Sequence, residues 1–253
     1  DKRTLIIDDL NYDGKNEVVF TPVYKIKTRD RIQKLLIFTS KGDIICEDTI
    51  FELTSYPGDI GACGYPQNAN YSINYLGIAD YRIGIEKMVI TSSQASYPAR
   101  NQIQIRNSRG ELIAKYLHPG GITIHFPYDY DGDSINEFIF GGLNNRINSA
   151  VLFLVDLNKS GGILPPFNND LFRCSGMKEA NYIKYIAFPN DEFSIHGYSD
   201  YVTKIDASNK SKKINIDIRK ANKCLFTYSL DKDFKAHHLH LGDDFWDLCP
   251  DSL

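Results

Sequence analysis

The chain has 253 residues, of which 42% are hydrophobic, and a formal net charge of -3. This content suffices for a packed core, and the lack of a basic stripe argues against a general nucleic-acid binder. The longest nearly apolar run, residues 150–155, is far shorter than the roughly 20 residues of a membrane span. We therefore expect no membrane insertion by this segment. Sixteen Tyr and 14 Phe against two Met favour strands over helices.

Taken in chain order, four segments share one plan, in which an apolar strand, a polar turn and a second strand follow one another. These segments are residues 4–22, 73–92, 121–142 and 182–197. Each is followed by a second strand–turn–strand segment with Gly, Asn or Asp in the turn, which is typical of hairpins. These second segments are residues 35–47, 103–117, 150–164 and 224–239.

Two hairpins per unit make four antiparallel strands, and such a sheet repeated radially is a propeller blade. We therefore predict an all-β fold with few helices, a single β-propeller of about four to five blades over residues 1–253. The repeat units lie near residues 4–50, 73–117, 121–165 and 182–240. Residues 200–220 predict two further strands around a polar loop. A β-sandwich also repeats hairpins, but it does not explain why an acidic turn recurs at one place in successive units.

The acidic turns of the first and third units carry oxygen side chains at loop positions 1, 3, 5 and 9. These residues are Asp9, Asn11, Asp13 and Glu17, and Asp129, Asp131, Asp133 and Glu137. Calcium takes six to eight oxygen ligands, and alternate residues of a tightly curled loop can point at one ion. Four carboxylates in the second loop repel one another unless a cation lies between them. The spacing therefore predicts two calcium sites rather than metal-free acidic turns.

Two further positions complete the predicted calcium loop. Position 7 is expected to offer a backbone carbonyl, from Lys15 and Ile135, and position 6 must turn sharply, which suits Gly14 better than Ser134. The loops are not EF-hands, because position 12 of that motif is a glutamate and is phenylalanine in both loops here. The corresponding turns of the second unit (79–87) and the fourth (189–192) have lost the pattern, and we predict no metal at either.

These residues resemble the FG-GAP/VCBS repeat family, the calcium-loop propeller repeats of integrin α heads and many bacterial surface proteins. The resemblance rests on the two acidic loops, on the apolar pairs Val18-Val19 and Phe138-Ile139 after them, and on Phe140-Gly141-Gly142. It implies that the loops bind calcium and brace the blades. It also implies a propeller that is one portion of a larger extracytoplasmic protein.

Other residues give weaker signals. His237, His238 and His240 cluster near the end, and in a regular strand His237 would point away from the other two. The five cysteines (46, 63, 174, 224 and 249) form no CxxC pair, which argues against zinc. Free thiols or one or two disulfides, with Cys46–Cys63 and Cys224–Cys249 the pairs nearest in sequence, both stay open.

The sequence contains no G-x-S-x-G elbow, P-loop or HExxH motif. We therefore predict a non-catalytic module that binds a protein or carbohydrate ligand, or that senses one, in an extracytoplasmic setting. A polysaccharide lyase or glycosidase on a propeller is the first alternative, and it would need converging acids outside the calcium loops. A purely architectural domain is the second.

Overall fold

The computed structural model describes residues 5–25, 31–49, 71–95, 101–145, 147–158, 161–164, 178–189, 200–208, 210–211, 213–219 and 225–241. Over these residues the protein is all-β, with eighteen strands and no helix. The described residues therefore contain nothing that could cross a bilayer as an apolar helix. The chain divides into two compact units, Asp1–Pro119 with Ser160–Asn181 and Gly120–Lys159 with Tyr182–Leu253.

The first sheet of the first unit contains β1 (Leu5–Asp8), β2 (Glu17–Phe20), β3 (Val23–Lys25), β4 (Arg31–Phe38) and β5 (Ile44–Thr49). Strands β2 and β3 both pair antiparallel with β4, one with each half of it. Pro22 lies between them and has no backbone N–H to continue the ladder. Its carbonyl still accepts the Lys34 N–H at 3.2 Å. The two short strands thus act as one, and the sheet is in effect four-stranded.

The second sheet of the first unit follows the order of the chain. It contains β6 (Tyr71–Arg82), β7 (Glu86–Ala95), β8 (Asn101–Arg106), β9 (Leu112–His118) and, as a parallel addition to β9, β13 (Gly162–Ile163). The side chains of Val19, Leu35 and Ile37 from the first sheet share one buried cluster with those of Leu76 and Val89 from the second. The two sheets of this unit therefore have a common core.

The second unit holds two four-stranded antiparallel sheets. The third sheet runs in the order β10 (Ile122–Tyr128), β11 (Glu137–Asn144), β12 (Ser149–Val155) and β14 (Lys184–Ala187). The fourth runs in the order β15 (Tyr201–Ser208), β16 (Lys213–Arg219), β17 (Leu225–Asp231) and β18 (Ala236–Leu241). Alternate residues of β12, such as Leu152 and Leu154, pack in one cluster with Val202, Ile214 and Ile216 of the fourth sheet.

Strands β12 and β16 show why the hydrophobic patterns differ along the chain. Every side chain of β12 is buried, whereas β16 alternates between exposed and buried positions. A strand covered on both faces carries a continuous apolar run, and one with a solvated face alternates. On the second face of β12, Phe153 stacks on Phe140 and on Tyr185, with ring centroids 5.4 and 5.8 Å apart.

Gly141 allows the third sheet to approach the fourth closely. A Cβ atom at this position would lie 2.7 Å from Val202 Cγ1, a distance that carbon atoms do not tolerate. At the same place, the Thr123 hydroxyl lies within hydrogen-bonding distance of the backbone carbonyls of Val202 and Gly141 and has one proton to donate to them. Gly141 of the Phe-Gly element therefore permits close packing of the third sheet on the fourth.

The strand pairing corrects two of the predicted hairpins. Residues 150–164 do not form a hairpin, because Gly162–Ile163 pairs with β9 rather than with β12. Lys184–Ala187 does not open a fourth unit, because it pairs with β12 and completes the third sheet. The fourth sheet instead begins with the strands predicted within residues 200–220, which form β15 and β16. The predicted turn at 190–192 lies outside the described residues.

Candidate metal-binding loops

The two predicted calcium loops occupy equivalent places in their sheets. Loop 1 (Asp9–Glu17) joins β1 to β2, and loop 2 (Asp129–Glu137) joins β10 to β11. Each is the turn between the first two strands of a sheet, and each ends on a glutamate that begins the second strand. Positions 1 to 9 below are counted from Asp9 and from Asp129.

Four hydrogen bonds recur at the same positions in both loops. The position 1 aspartate accepts the N–H of position 6, at 2.9 Å in loop 1 and 3.3 Å in loop 2. Position 3 accepts from position 5 at 3.0 and 3.2 Å, and position 5 accepts from position 7 at 2.8 Å in both loops. The position 9 glutamate accepts from position 2 at 2.9 and 2.8 Å. The predicted oxygen side chains thus turn towards the inside of their own loop.

The two loops also share a backbone conformation at two positions where their residue types differ. Positions 4 and 6 are left-handed in both loops, at Tyr12 (φ 57°) and Gly14 (φ 82°) in loop 1 and at Gly132 (φ 87°) and Ser134 (φ 68°) in loop 2. The sharp turn predicted at position 6 is confirmed, and Ser134 adopts it without glycine. The left-handed conformation at position 4 was not predicted. The Asp-Gly pair at 131–132 could have indicated it in loop 2, because Asp-Gly is typical of left-handed turns.

Loop 2 brings its acidic oxygens to within reach of one ion. One carboxylate oxygen each from Asp129, Asp131 and Glu137 lies within 4.8 Å of the other two. Over the described part of the chain, this is the one group of three His, Cys, Asp or Glu residues with that geometry. Loop 1 carries Asn11 at position 3, which offers an amide oxygen in place of the Asp131 carboxylate. Asp133 is not part of the group, and its carboxylate accepts the Ile135 N–H.

This geometry fits a calcium ion. Calcium–oxygen distances of about 2.3–2.6 Å place ligands on opposite sides of the ion about 5 Å apart. Three carboxylate oxygens within 4.8 Å of one another therefore match the span of one coordination sphere. The Asp129, Asp131 and Glu137 carboxylates would hold the ion in loop 2, and Asp9, Asn11 and Glu17 occupy the same positions in loop 1.

The position 9 glutamates are the buried members of the loops, with Glu17 4% and Glu137 5% exposed. Burial raises the pKa of Glu137 from 4.5 to about 7, and the charges of Asp131 and Asp156 act in the same direction. The hydrogen bond from the Tyr130 N–H lowers it in part. Without a cation, loop 2 therefore favours a proton on Glu137 near neutral pH, as expected for carboxylates crowded in a partly buried site.

Loop 1 is fastened to the second sheet. The Leu10 carbonyl accepts the Lys87 N–H at 2.9 Å, and the Lys87 ammonium contacts the Asp8 carboxylate at 2.7 Å. The same ammonium lies 5.0 Å from the centroid of the Tyr12 ring, whose hydroxyl donates to Asp80. Loop 2 makes a weaker link to the fourth sheet, from the Tyr130 hydroxyl to Asp233 at 3.4 Å.

The turn of the second unit, which lacks the calcium pattern, forms a tight hairpin. Ile85 N–H donates to the Arg82 carbonyl at 2.9 Å, and Gly84 is left-handed at φ 74°. Asp80, one of its two acidic residues, accepts the hydroxyl of Tyr12 from loop 1. The turn of the second unit is therefore short and is closed by a backbone hydrogen bond.

The histidine cluster differs from the prediction at His237. A bulge in β18 places both His237 and His238 opposite the Ser229–Leu230 step of β17, because Ser229 pairs with His238 and Leu230 with Ala236. A bulge re-aims side chains, and His237 and His238 consequently line the same groove. The two histidines do not alternate as they would in a regular strand.

No family model matches the sequence, and no curated protein matches it. Among solved structures, the C-terminal domain of PilY1 from Pseudomonas aeruginosa is 11% identical with a TM-score of 0.47, over 91% of this chain and 58% of that one. A protein of unknown function from Bacteroides caccae is 8% identical with a TM-score of 0.27, over 93% of both chains. The chain thus spans little more than half of the PilY1 domain, and similarity this weak assigns it neither a family nor a function.

Proposed function

We propose that this chain is a calcium-stabilised, non-catalytic β-propeller of the FG-GAP/VCBS type that serves as a ligand-binding or sensory module of a larger extracytoplasmic protein. One observation carries the proposal. Two loops that differ at most of their positions have the same side-chain hydrogen bonds and the same two left-handed residues. The recurrence of these features at equivalent turns of two sheets supports the proposal, because equivalent ion-binding loops of a repeat are expected to share them.

The propeller part of the proposal draws on the order of the sheets. Each of the four sheets is made mainly from consecutive strands, joined as hairpins in chain order. Successive four-stranded antiparallel sheets are the building plan of propeller blades. The two loops occupy the same turn in their sheets, as equivalent positions of a repeat would.

Bound calcium would raise the free energy of unfolding of this module. At about 1 mM calcium and a Kd of about 10⁻⁴ to 10⁻³ M, as in extracellular modules, each site adds about 0.4 to 1.4 kcal/mol to the free energy of unfolding. For a chain of this size each kcal/mol raises the Tm by about 2 to 4 °C. Neither the ion nor its coordination shell takes part in a reaction in this proposal.

The test measures how many calcium ions bind to the chain and how their removal changes the Tm. Equilibrium dialysis is expected to give two calcium ions per chain, and the Tm should fall when a chelator removes them. Asp129→Asn combined with Asp9→Asn should abolish both responses, while Asp206→Asn, the same type of substitution at one site on β15, should leave them unchanged. Absence of bound calcium together with an unchanged Tm would overturn the proposal.

A further inference from the structure

The first sheet has an outer face, on the side away from the second sheet, that is apolar. On its inner face, Ile6, Val19 and Ile37 pack in or against the cluster that the two sheets share. Successive side chains of a strand point to opposite faces, so the residues next to these three lie on the outer face. We call this surface the outer patch, and it consists of Leu5, Ile7, Val18, Phe20, Leu36, Phe38 and, on β5, Ile44.

The strand register makes the outer patch one continuous surface from β1 to β5. Side chains that are directly paired across antiparallel strands lie about 4.5–5.5 Å apart at Cβ, which is close enough for contact. Every member of the patch is paired with another member, except that Leu36 also faces Glu47 of β5. The pairs are Leu5–Phe20, Ile7–Val18, Val18–Phe38, Phe20–Leu36 and Phe38–Ile44.

The outer patch is open to solvent at both ends, although its strands have the sequence of covered ones. Leu5, Ile7 and Ile44 are 51%, 60% and 58% exposed. A strand with one solvated face alternates between apolar and polar residues, as β16 does, whereas a strand covered on both faces carries a continuous apolar run. Strands β1, β2, β4 and β5 all carry such runs. The first sheet is therefore built to be covered on its outer face as well.

The charges of this sheet leave the outer patch neutral. Among the described residues of its outer face, Lys34 and Glu47 are the charged ones, and they form an ion pair with each other. Asp8 and Asp48 lie on the inner face, where each pairs with a basic side chain of the second sheet. A neutral apolar surface attracts no charged partner and does not repel a second copy of itself. Depletion of charge is also what distinguishes the centre of protein interfaces.

The fourth sheet has an outer face of the opposite character. Its exposed side chains on β15 and β16 include Lys204, Asp206, Lys213 and Arg219. Such charges would lose water against an apolar surface, which costs free energy unless each finds a partner. A head-to-tail contact, in which the outer patch of one copy meets the fourth sheet of the next, is therefore unfavourable. A two-fold contact of patch on patch is favourable, and it closes at two copies.

We propose that the outer patch is a homodimer interface, on which the outer patch of a second copy of this chain packs face to face. Sheets that stack in this way lie about 10 Å apart and interdigitate their apolar side chains. The inference does not depend on calcium, because no predicted ligand of loop 1 or loop 2 belongs to the patch.

Sedimentation velocity of the full chain over a series of concentrations, with calcium present, tests the interface. The unmodified chain should form a reversible dimer and no larger species. Ile7→Lys and Ile44→Lys, at opposite ends of the patch, should each weaken dimerisation about tenfold or more, because like charges brought together across an interface oppose association. Ile83→Lys is the same substitution at a residue that is 75% exposed in the turn between β6 and β7, and it should leave dimerisation unchanged.

Several outcomes would overturn the inference. They are an unmodified chain that stays monomeric at every concentration, a mass that grows beyond the dimer, or a loss with Ile83→Lys as large as with Ile7→Lys. The concentration series on the unmodified chain needs no variant to fold. A monomer that binds an apolar dye, and binds less of it after Ile7→Lys, would assign the outer patch to another occupant, such as a further sheet of a larger protein.

Discussion

Loop 1 and loop 2 share their left-handed positions and their side-chain hydrogen bonds, but they differ in charge, in the place of glycine and in anchoring. Loop 2 has four carboxylates at positions 1, 3, 5 and 9, where loop 1 has three and an asparagine. Glycine lies at position 6 in loop 1 and at position 4 in loop 2. Loop 1 is fastened by Lys87, whereas loop 2 depends on its own hydrogen bonds and a long contact to Asp233. The side-chain hydrogen bonds of the two loops are thus kept while charge, glycine and anchoring vary, as the proposed calcium sites would require.

The largest effect is expected in the strand after loop 2. Gly141→Ala would place a methyl group 2.7 Å from Val202 Cγ1, and overpacking of this kind costs about 1–3 kcal/mol. Chemical denaturation measures the loss. The double variant with Val202→Ala should lose less than the sum of the two single variants, because the contact with Cγ1 is removed, although Val202 Cβ at 2.9 Å remains. Additive losses would contradict the role assigned to Gly141.

The second effect compares the charges of the two loops. Asp131→Ala should reduce the calcium-induced rise in Tm more than Asn11→Ala does, because it removes a charge as well as a ligand oxygen. Calcium affinity follows the number of charged ligands. Equal reductions for the two variants would show that charge does not distinguish the sites.

The third effect concerns protons at loop 2. The raised pKa of Glu137 means that the calcium-free folded chain holds a proton that the unfolded chain releases between pH 4.5 and about 7. The stability contributed by this proton is present below pH 4.5 and is lost as the pH rises through 7. Calcium must displace the proton, so its affinity for loop 2 should rise with pH up to about 7.

Calorimetric titration across this pH range checks the coupling. Glu137→Gln should abolish the proton release that accompanies calcium binding at loop 2. Glu17→Gln is the matched substitution in loop 1, and it should leave the release at loop 2 in place. Proton release that persists in Glu137→Gln would refute the assignment.

The smallest effect is expected from exchanging serine and glycine at position 6 of the two loops. Ser134→Gly should stabilise loop 2, and Gly14→Ser should destabilise loop 1, each by about 1 kcal/mol, because only glycine adopts the left-handed region without cost. A Cβ at Gly14 would meet nothing within 4 Å, so the backbone angle alone decides the result. The measurement is the free energy of unfolding of each variant without calcium. If Ser134→Gly and Gly14→Ser change it in the same direction, the two loops do not share a left-handed position 6.

The sequence by itself determined the local features of this protein. The aromatic composition and the repeated strand–turn–strand segments predicted an all-β chain, and most of the predicted hairpins are confirmed. The 1-3-5-9 spacing predicted which side chains turn into loops 1 and 2, because a tight loop is closed by bonds among its own residues. Glycine preference likewise pointed to the left-handed position 6.

Only the tertiary structure decided which distant strands meet. Lys184–Ala187 has the pattern of any half-buried strand, and its place beside β12 depends on a pairing that spans about 30 residues. The bulge of β18 opposite Ser229 and Leu230, the approach of Val202 to Gly141 and the contact of Lys87 with Asp8 also depend on residues from different strands. Periodicity along a strand predicts which face is buried, but the partner on that face is chosen by packing across the sheets.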